Sequence, residues 1–571
     1  MSGWRTTQWW TLSPVLLAMM AHPTDARQPD SPARQAERYF ASLDKPDAPG
    51  CVLGANQNGH GIFRGAFGLA DTATGRRNMP DEILGVGSVT KQFAATAVAM
   101  AAREGHFSLD DPISRYLPEM ANAPAITIEQ LVHHTSGLRD IGRLIELTGR
   151  PGDYHDLDSR VALLGRQRAT NFTPGQEFRY NNSGYILLAA LIERTTGEAF
   201  ATYVRNHIFQ PLGMRSSYFG ENSRGDRDRA LPYRLADGRW VRTDGPFATQ
   251  GGWGATGLMT SLDDFGHWAD NLVSGHSALA GGQTLIAKLK EPGKLTDGES
   301  IPYGFGLRLV PYRGLPMIGH GGSADGYKAA TMIFPDRKLA VFGFCNNGEY
   351  ADTIVERLAD IFLELPGDAK DDAPSPSARP MGVAMSLSEL QQFEGVYREP
   401  SLRLPLTVTA EAEGLRVTGA NQPALFVPIG PTRFRGKTDD IMAFEQGNSS
   451  SEMVLVQEKG VQFHFGTARF ERIHPVQPTP EELQAYTGRY TSTELGASYD
   501  FFVEGGALRA RIVNSEQPRT FVFRPMIADE FVAIPDRLVL RFERVGDRPA
   551  GFVLTHQFGW ITDVRFERDP R

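Results

Sequence analysis

The chain has 571 residues, 41% of them apolar and 22% charged, with a formal net charge of −8 at pH 7. That length is more than one hydrophobic core serves, so two to four domains are expected. The charge balance excludes a basic stripe for nucleic acid and a polybasic membrane anchor, and the apolar content excludes a disordered chain.

At the N-terminus Arg5 precedes the apolar run TLSPVLLAMMA, and Ala21 and Ala26 offer small residues for cleavage. The run is roughly half of what a membrane-spanning helix needs, and Pro14 interrupts it. Residues 1–26 therefore read as an export signal, the alternative being a fraying tail. With no cysteine nearby to carry a lipid, the mature protein is expected to be soluble, in the periplasm or secreted.

Residues 27–365 mix helical and strand patterns. ARQAERYFASLD opens with a helix, and CVLGANQNGHGIFRGAFGLAD alternates as a hairpin does. In SVTKQFAATAVAMAAREG, Val89, Phe93, Ala97 and Ala101 share one helical face, and Gly105 is placed to end the helix. Thr127-x-x-Gln130 is the arrangement of a capping box, and YILLAALIERTTG reads as a buried helix ended by Gly197. MIGHGG, KAATMIFP and KLAVFGFC predict three successive strands, and YADTIVERLADIFLEL an amphipathic helix. This order fits helices around a mostly antiparallel sheet, an α+β fold, better than a doubly wound parallel sheet.

PGDAKDDAPSPSARP marks a linker over 366–386, and its composition implies that few contacts cross it. Beyond it the texture turns to short strands, and the segment repeats itself. ELQQFEGVY (389–397) matches ELQAYTGRY (482–490), and ARFERI (468–473) matches VRFERD (564–569). The offsets, 482 − 389 = 93 and 565 − 469 = 96, are nearly equal. Residues 387–475 and 478–571 are therefore expected to form two small antiparallel β-barrels in tandem.

Three short patterns carry chemistry. Ser88 and Lys91 stand three residues apart at the start of a helical pattern, close enough to touch, and a neutral lysine is a base for a serine hydroxyl. The pair also fits a serine N-cap beside a solvated lysine. Tyr180-x-Asn182, ahead of the buried helix, offers a phenol for proton transfer and an amide for orienting a substrate; Asn182 or Ser183 as a plain N-cap is the alternative. His320-Gly321-Gly322 lies in a strand expected to edge a cleft, although a satisfied strand histidine fits as well. GWGATG (252–257) lacks the strand–turn–helix setting of a nucleotide loop and reads as a glycine-rich cleft wall. No histidine spacing suits zinc and no serine sits in G-x-S-x-G, so neither a metal, a cofactor nor an α/β-hydrolase is expected.

In order and identity, S-x-x-K, HHTSGL (133–138), Y-x-N and H-x-G resemble the penicillin-recognising serine hydrolases, in particular the class C β-lactamase branch. The resemblance implies an all-helical lobe beside an α/β lobe built on a five-stranded antiparallel sheet. It implies Ser88 as the acylated nucleophile, Lys91 and Tyr180 sharing the proton transfers, and Asn182 holding the substrate amide. The oxyanion hole would be the N–H groups of Ser88 and of Ser323, the residue after His320-Gly321-Gly322. In the implied fold Cys51 and Cys345 face each other across antiparallel strands, with Cα atoms about 4.4–6.8 Å apart; a disulfide and two unpaired buried thiols both remain open.

A catalytic domain followed by two barrels resembles the D-aminopeptidases of this superfamily. Where β-lactamases and carboxypeptidases carry K-T-G, this chain has His320-Gly321-Gly322, so the central hydroxyl is missing and the charge depends on pH. A small peptide, amide or ester is therefore the expected partner, with a D-amino acid at the scissile bond. A carboxylesterase, a class C-type β-lactamase and a non-hydrolytic muropeptide or β-lactam sensor are the alternatives. Nucleic acid is not expected.

Overall fold

The computed structural model describes residues 30–123, 125–220, 229–243, 253–348, 351–365, 383–400, 405–419, 423–436, 441–446, 451–456, 467–534, 536–556 and 559–570. The expected export signal and most of the linker, 366–382, lie outside the described residues.

The elements that place the site are, in chain order, α1 (Pro32–Phe40), β1 (Cys51–Gln57), β2 (His60–Phe67), α2 (Lys91–Arg103), α3 (Ile128–Val132), α4 (Ile141–Thr148), α5 (Asn182–Thr196), α6 (Leu262–Val273), β3 (Ile318–Ala324), β4 (Tyr327–Phe334), β5 (Leu339–Cys345) and α7 (Ala351–Phe362). The expected hairpin is β1–β2, turned at Asn58-Gly59, both with positive φ as a two-residue type I′ connection requires. The capping box on α3 forms as Thr127 and Gln130 predict, and α5 ends at Gly197 in the left-handed region.

The five strands make one antiparallel sheet in the order β3-β4-β5-β1-β2, which leaves β3 and its His320 at the edge. Alternation along β1 decides the packing. Cys51, Leu53 and Ala55 join Phe40 of α1 and Val355 and Leu358 of α7 on one face. Val52 faces the opposite layer with Phe265 and Trp268 of α6 and Phe93 of α2. Sheet faces covered by helices on both sides give strands that are apolar throughout, as β5 is. Among the described residues no helix is long and apolar enough to cross a membrane.

Beyond residue 383 two closed eight-stranded barrels follow, from Gly395–Arg398 to Thr467–Ile473 and from Gly488–Ser492 to Ile561–Arg568. The internal repeat has a physical counterpart in each. A one-turn helix with a capping box, Ser386 with Glu389 and Thr479 with Glu482, leads into the first strand. There a fully buried tyrosine donates to the carbonyl four residues back, Tyr397 to Phe393 and Tyr490 to Tyr486.

The expectation that few contacts cross from the barrels to the preceding residues is corrected. Buried apolar residues of the second barrel form one continuous cluster with the helical lobe. Arg139 and Glu494 make an ion pair between side chains only 1% and 6% exposed, and the Tyr499 hydroxyl donates to the Leu147 carbonyl at 3.0 Å. Linker composition governs the connecting segment alone; the barrel's outer wall carries its own docking surface. The first barrel leans on the second through the bidentate Arg398–Glu530 pair.

Candidate active site

Ser88 lies on a single 3₁₀ turn, Gly87–Thr90, that feeds directly into α2, so the helix proper begins at Lys91 rather than at the serine. Gly87 has positive φ, and an added Cβ there would come within 2.5 Å of the Ser323 nitrogen. One on Gly322 would fall 2.0 Å from the Val86 carbonyl oxygen and 3.1 Å from the Ser88 nitrogen. Only paired glycines allow this approach, and it brings the backbone amides of Ser88 and Ser323 to one point beside the serine.

Lys91 is wholly buried. Its Nζ lies 3.1 Å from Ser88 Oγ, 2.9 Å from Asn182 Oδ1 and 2.8 Å from the Ala255 carbonyl oxygen. Burial brings its pKa down to about 7, the Asp140 carboxylate opposing and the Arg308 guanidinium adding to the shift. A neutral amine has two N–H bonds and one lone pair. Two of its neighbours are carbonyl oxygens that can only accept, so they take both hydrogens and the lone pair is left facing the Ser88 hydroxyl.

Asn182 is the first residue of α5, and the cap beside it is Asn181, whose side chain accepts from the Gly184 N–H. That removes the plain N-cap reading of Asn182 and Ser183. Tyr180 is buried, with its ring 4.8 Å from Lys91 Nζ. Burial pushes its phenol well above the ordinary range, and the neighbouring Ser88 hydroxyl partly offsets this.

His320 is buried at the sheet edge. Its Nδ1 lies 2.6 Å from the Gly321 carbonyl oxygen, which can only accept, so Nδ1 carries the proton and Nε2 accepts from the Tyr303 hydroxyl at 3.0 Å. Burial holds its pKa well below the usual value, with Arg308 and Lys91 adding to the effect and the Gly321 carbonyl opposing. The expected pH-dependent charge is thus replaced by a ring that stays neutral.

The structure brings Ser88, Lys91, Tyr180, Asn182, His320, Gly322 and Ser323 to one place, and adds residues that sequence reasoning missed. Ala255 contributes a backbone carbonyl, which no side-chain pattern announces; it stands in the stretch read as a glycine-rich cleft wall. Asp140 is legible only as a helix cap before IGRLIELT. Arg308 pairs by its backbone with Gly319 and, with Tyr180, Tyr303, His320 and Asp352, lines a cavity of about 340 Å³. A lone arginine outside any motif carries no sequence signal.

The Beta-lactamase family profile matches residues 36–363. The D-aminopeptidase of Brucella anthropi is 28% identical over 320 residues, 56% of this chain and 60% of the relative, so that alignment spans less than two thirds of the relative. The D-aminopeptidase of Brucella melitensis biotype 1 is 27% identical over 509 residues, 88% of this chain and 89% of the relative. Among solved structures, an octameric penicillin-binding protein homologue from Pyrococcus abyssi has a TM-score of 0.55 at 21% identity, covering 77% of this chain and 99% of that one. That likeness is one of fold.

Proposed function

Because the chain belongs to the beta-lactamase family, we propose that it is a serine hydrolase that works through an acyl-enzyme on Ser88 and releases an N-terminal D-residue from peptides and amides. The observation that carries the mechanism is the pair of carbonyl acceptors on Lys91, which turns its lone pair to the serine. Lys91 takes the Ser88 proton as Oγ attacks the substrate carbonyl, and the N–H groups of Ser88 and Ser323 receive the oxyanion. The Tyr180 phenol, protonated throughout the neutral range, gives a proton to the leaving nitrogen as the C–N bond breaks and is reprotonated from Lys91. Water attacking the ester passes its proton to Lys91, which hands it to Ser88 Oγ as the C–O bond breaks, freeing the acid and restoring Ser88.

The D-aminopeptidase reading is supported by an alignment with the Brucella melitensis relative that runs well beyond the family-matched region. It is also supported by the neutral, already hydrogen-bonded His320, which offers no charge to a substrate carboxylate. The expected partner is therefore a small peptide, amide or ester. A second reading has its own observation. Arg308 is a permanent cation beside His320, and it favours a carboxylate-bearing substrate such as a β-lactam. Turnover of D-alanine amide, p-nitrophenyl esters and benzylpenicillin separates these readings. Amide or ester hydrolysis at least about a hundredfold above penicillin hydrolysis, roughly 2.7 kcal/mol, is expected. Penicillin turnover that Arg308→Gln abolishes, with no amide or ester activity, would reverse the assignment.

Export to an oxidising compartment belongs to the same proposal, supported by the Cys51–Cys345 disulfide. The N-terminal sequence of the protein recovered from a periplasmic fraction tests it, cleavage between residues 21 and 27 being the expected result.

A further inference from the structure

The carboxylate that acts on the charge of the catalytic lysine belongs to none of the motifs. Asp140 caps α4, its Oδ1 accepting from the N–H groups of Gly142 and Arg143 at 3.1 and 3.3 Å. Its second oxygen does something a cap does not need. Oδ2 accepts from both the backbone N–H and the side-chain NH₂ of Asn182, at 3.2 and 3.1 Å. A carboxylate cannot donate, so the amide must present its NH₂ to Asp140 and its oxygen to Lys91. Ser183 clamps the same two segments together, donating to the Arg139 carbonyl at 2.6 Å and accepting from the Ile141 N–H at 2.7 Å.

The opposite side of this segment is held by the second barrel. The Asp140 N–H donates to the Trp560 carbonyl at 2.9 Å, and the adjacent Arg139 is the buried partner of Glu494. Were the Asn182 amide to turn over, it would offer an N–H to Lys91. The lysine lone pair would then accept from Asn182 and be lost to Ser88.

We propose that Asp140 is a positioning residue for the acyl-transfer reaction, orienting the Asn182 amide so that the lone pair of Lys91 faces Ser88, with the second barrel holding Asp140 in place. The proposal rests on the reading of Lys91 as the base. Lys91 is faced by Ser88 from its own turn, by Tyr180 and Tyr185 at and before α5, by His134 after α3, by Arg308, and by His320 on β3. Of the charged groups acting on it among the described residues, the Asp140 carboxylate favours the protonated form and the Arg308 guanidinium opposes it. Loss of the carboxylate and a turned amide therefore both move the lysine the same way, to a lower pKa.

The test is the rate of inactivation by a fluorophosphonate from pH 5 to 9, which needs an activated serine but no knowledge of the substrate. Two variants keep a helix-capping side chain, Asp140→Asn and Asp140→Ser. Asparagine places an NH₂ where Asn182 needs an acceptor, and serine is too short to reach Asn182. Both are expected to unfold within a few degrees of the parent, to label at least tenfold more slowly, and to show an acid limb lower by about one pH unit. A parent enzyme without a limb near pH 7 would strike the reading of Lys91 itself, and this proposal with it. A parent with that limb, retraced at full rate by both variants, would overturn the role of Asp140 alone. A serine variant that does not fold would show Asp140 to be structural and would overturn it too.

Discussion

Cys51, the first residue of β1, is bonded to Cys345, the last residue of β5, with their Cα atoms 4.0 Å apart. The pair sits just below the about 4.4–6.8 Å expected of bridged cysteines because of its place in the ladder. The neighbouring pair Gly50 and Asn346 carries the backbone hydrogen bond, so the cysteines occupy the narrow, non-hydrogen-bonded position, where Cα atoms approach to about 4.5 Å. The bridge closes a loop of 294 residues, and cross-links over long loops remove the most freedom from the unfolded chain. Cys51→Ala/Cys345→Ala should lose about 2–5 kcal/mol in urea unfolding while retaining activity at 25 °C, since neither residue reaches the site.

Activity should follow the neutral form of Lys91. With its pKa brought down to about 7, kcat/KM is expected to rise with pH through that value. The same group shapes stability. Between pH 7 and its ordinary value near 10.5, the unfolded chain holds one more proton than the folded one, so its contribution to stability rises with pH over that window. Lys91→Met should abolish turnover and flatten that slope, which urea unfolding at pH 7 and pH 10 would measure.

Ser88→Ala should lower kcat by several orders of magnitude with an unchanged circular dichroism spectrum, as when one member of a cooperating nucleophile–base set is removed. Intact-mass analysis of the parent after fluorophosphonate treatment should place the single adduct on Ser88. An adduct on another serine would defeat the assignment.

Removing the Tyr303 hydroxyl takes away the donor on which His320 Nε2 depends. The buried nitrogen is then left without that partner, at a cost of about 1–3 kcal/mol. Tyr303→Phe is accordingly expected to lower the Tm and to leave Ser88 labelling by fluorophosphonate within a few-fold of the parent. A thermal shift assay and a labelling time course check both parts.

Truncating Glu494 leaves the Arg139 guanidinium buried without its counter-charge. Glu494→Ala should cost about 3–5 kcal/mol, read from urea unfolding. For the same reason a protein ending before the linker should be destabilised and exposed on the face that the second barrel covers; a fragment as stable as the whole would contradict the packing seen here.

Much of this protein is settled by local patterning. The β1–β2 hairpin, the capping box at Thr127, the helix ending at Gly197 and the two tandem barrels all follow from period, turn chemistry and repetition, which act over a few neighbouring residues. Ser88, Lys91, Tyr180, Asn182 and His320 were legible because their chemistry demands particular side chains at particular spacings. Tertiary structure alone decided the state of those groups. Whether Lys91 is neutral depends first on burial and then on Asp140 and Arg308. Where its lone pair points depends on the Ala255 carbonyl and Asn182, and all of these residues reach it from distant segments. His320 is neutral because burial, with Arg308 and Lys91 nearby, makes it so, and Arg308 stands beside it only because β3 pairs with the residues around it. The second barrel's hold on Arg139 and Asp140 likewise joins residues hundreds of positions apart. Charge state and docking arise from desolvation and from contacts between remote parts of the chain, and no short stretch of sequence encodes either.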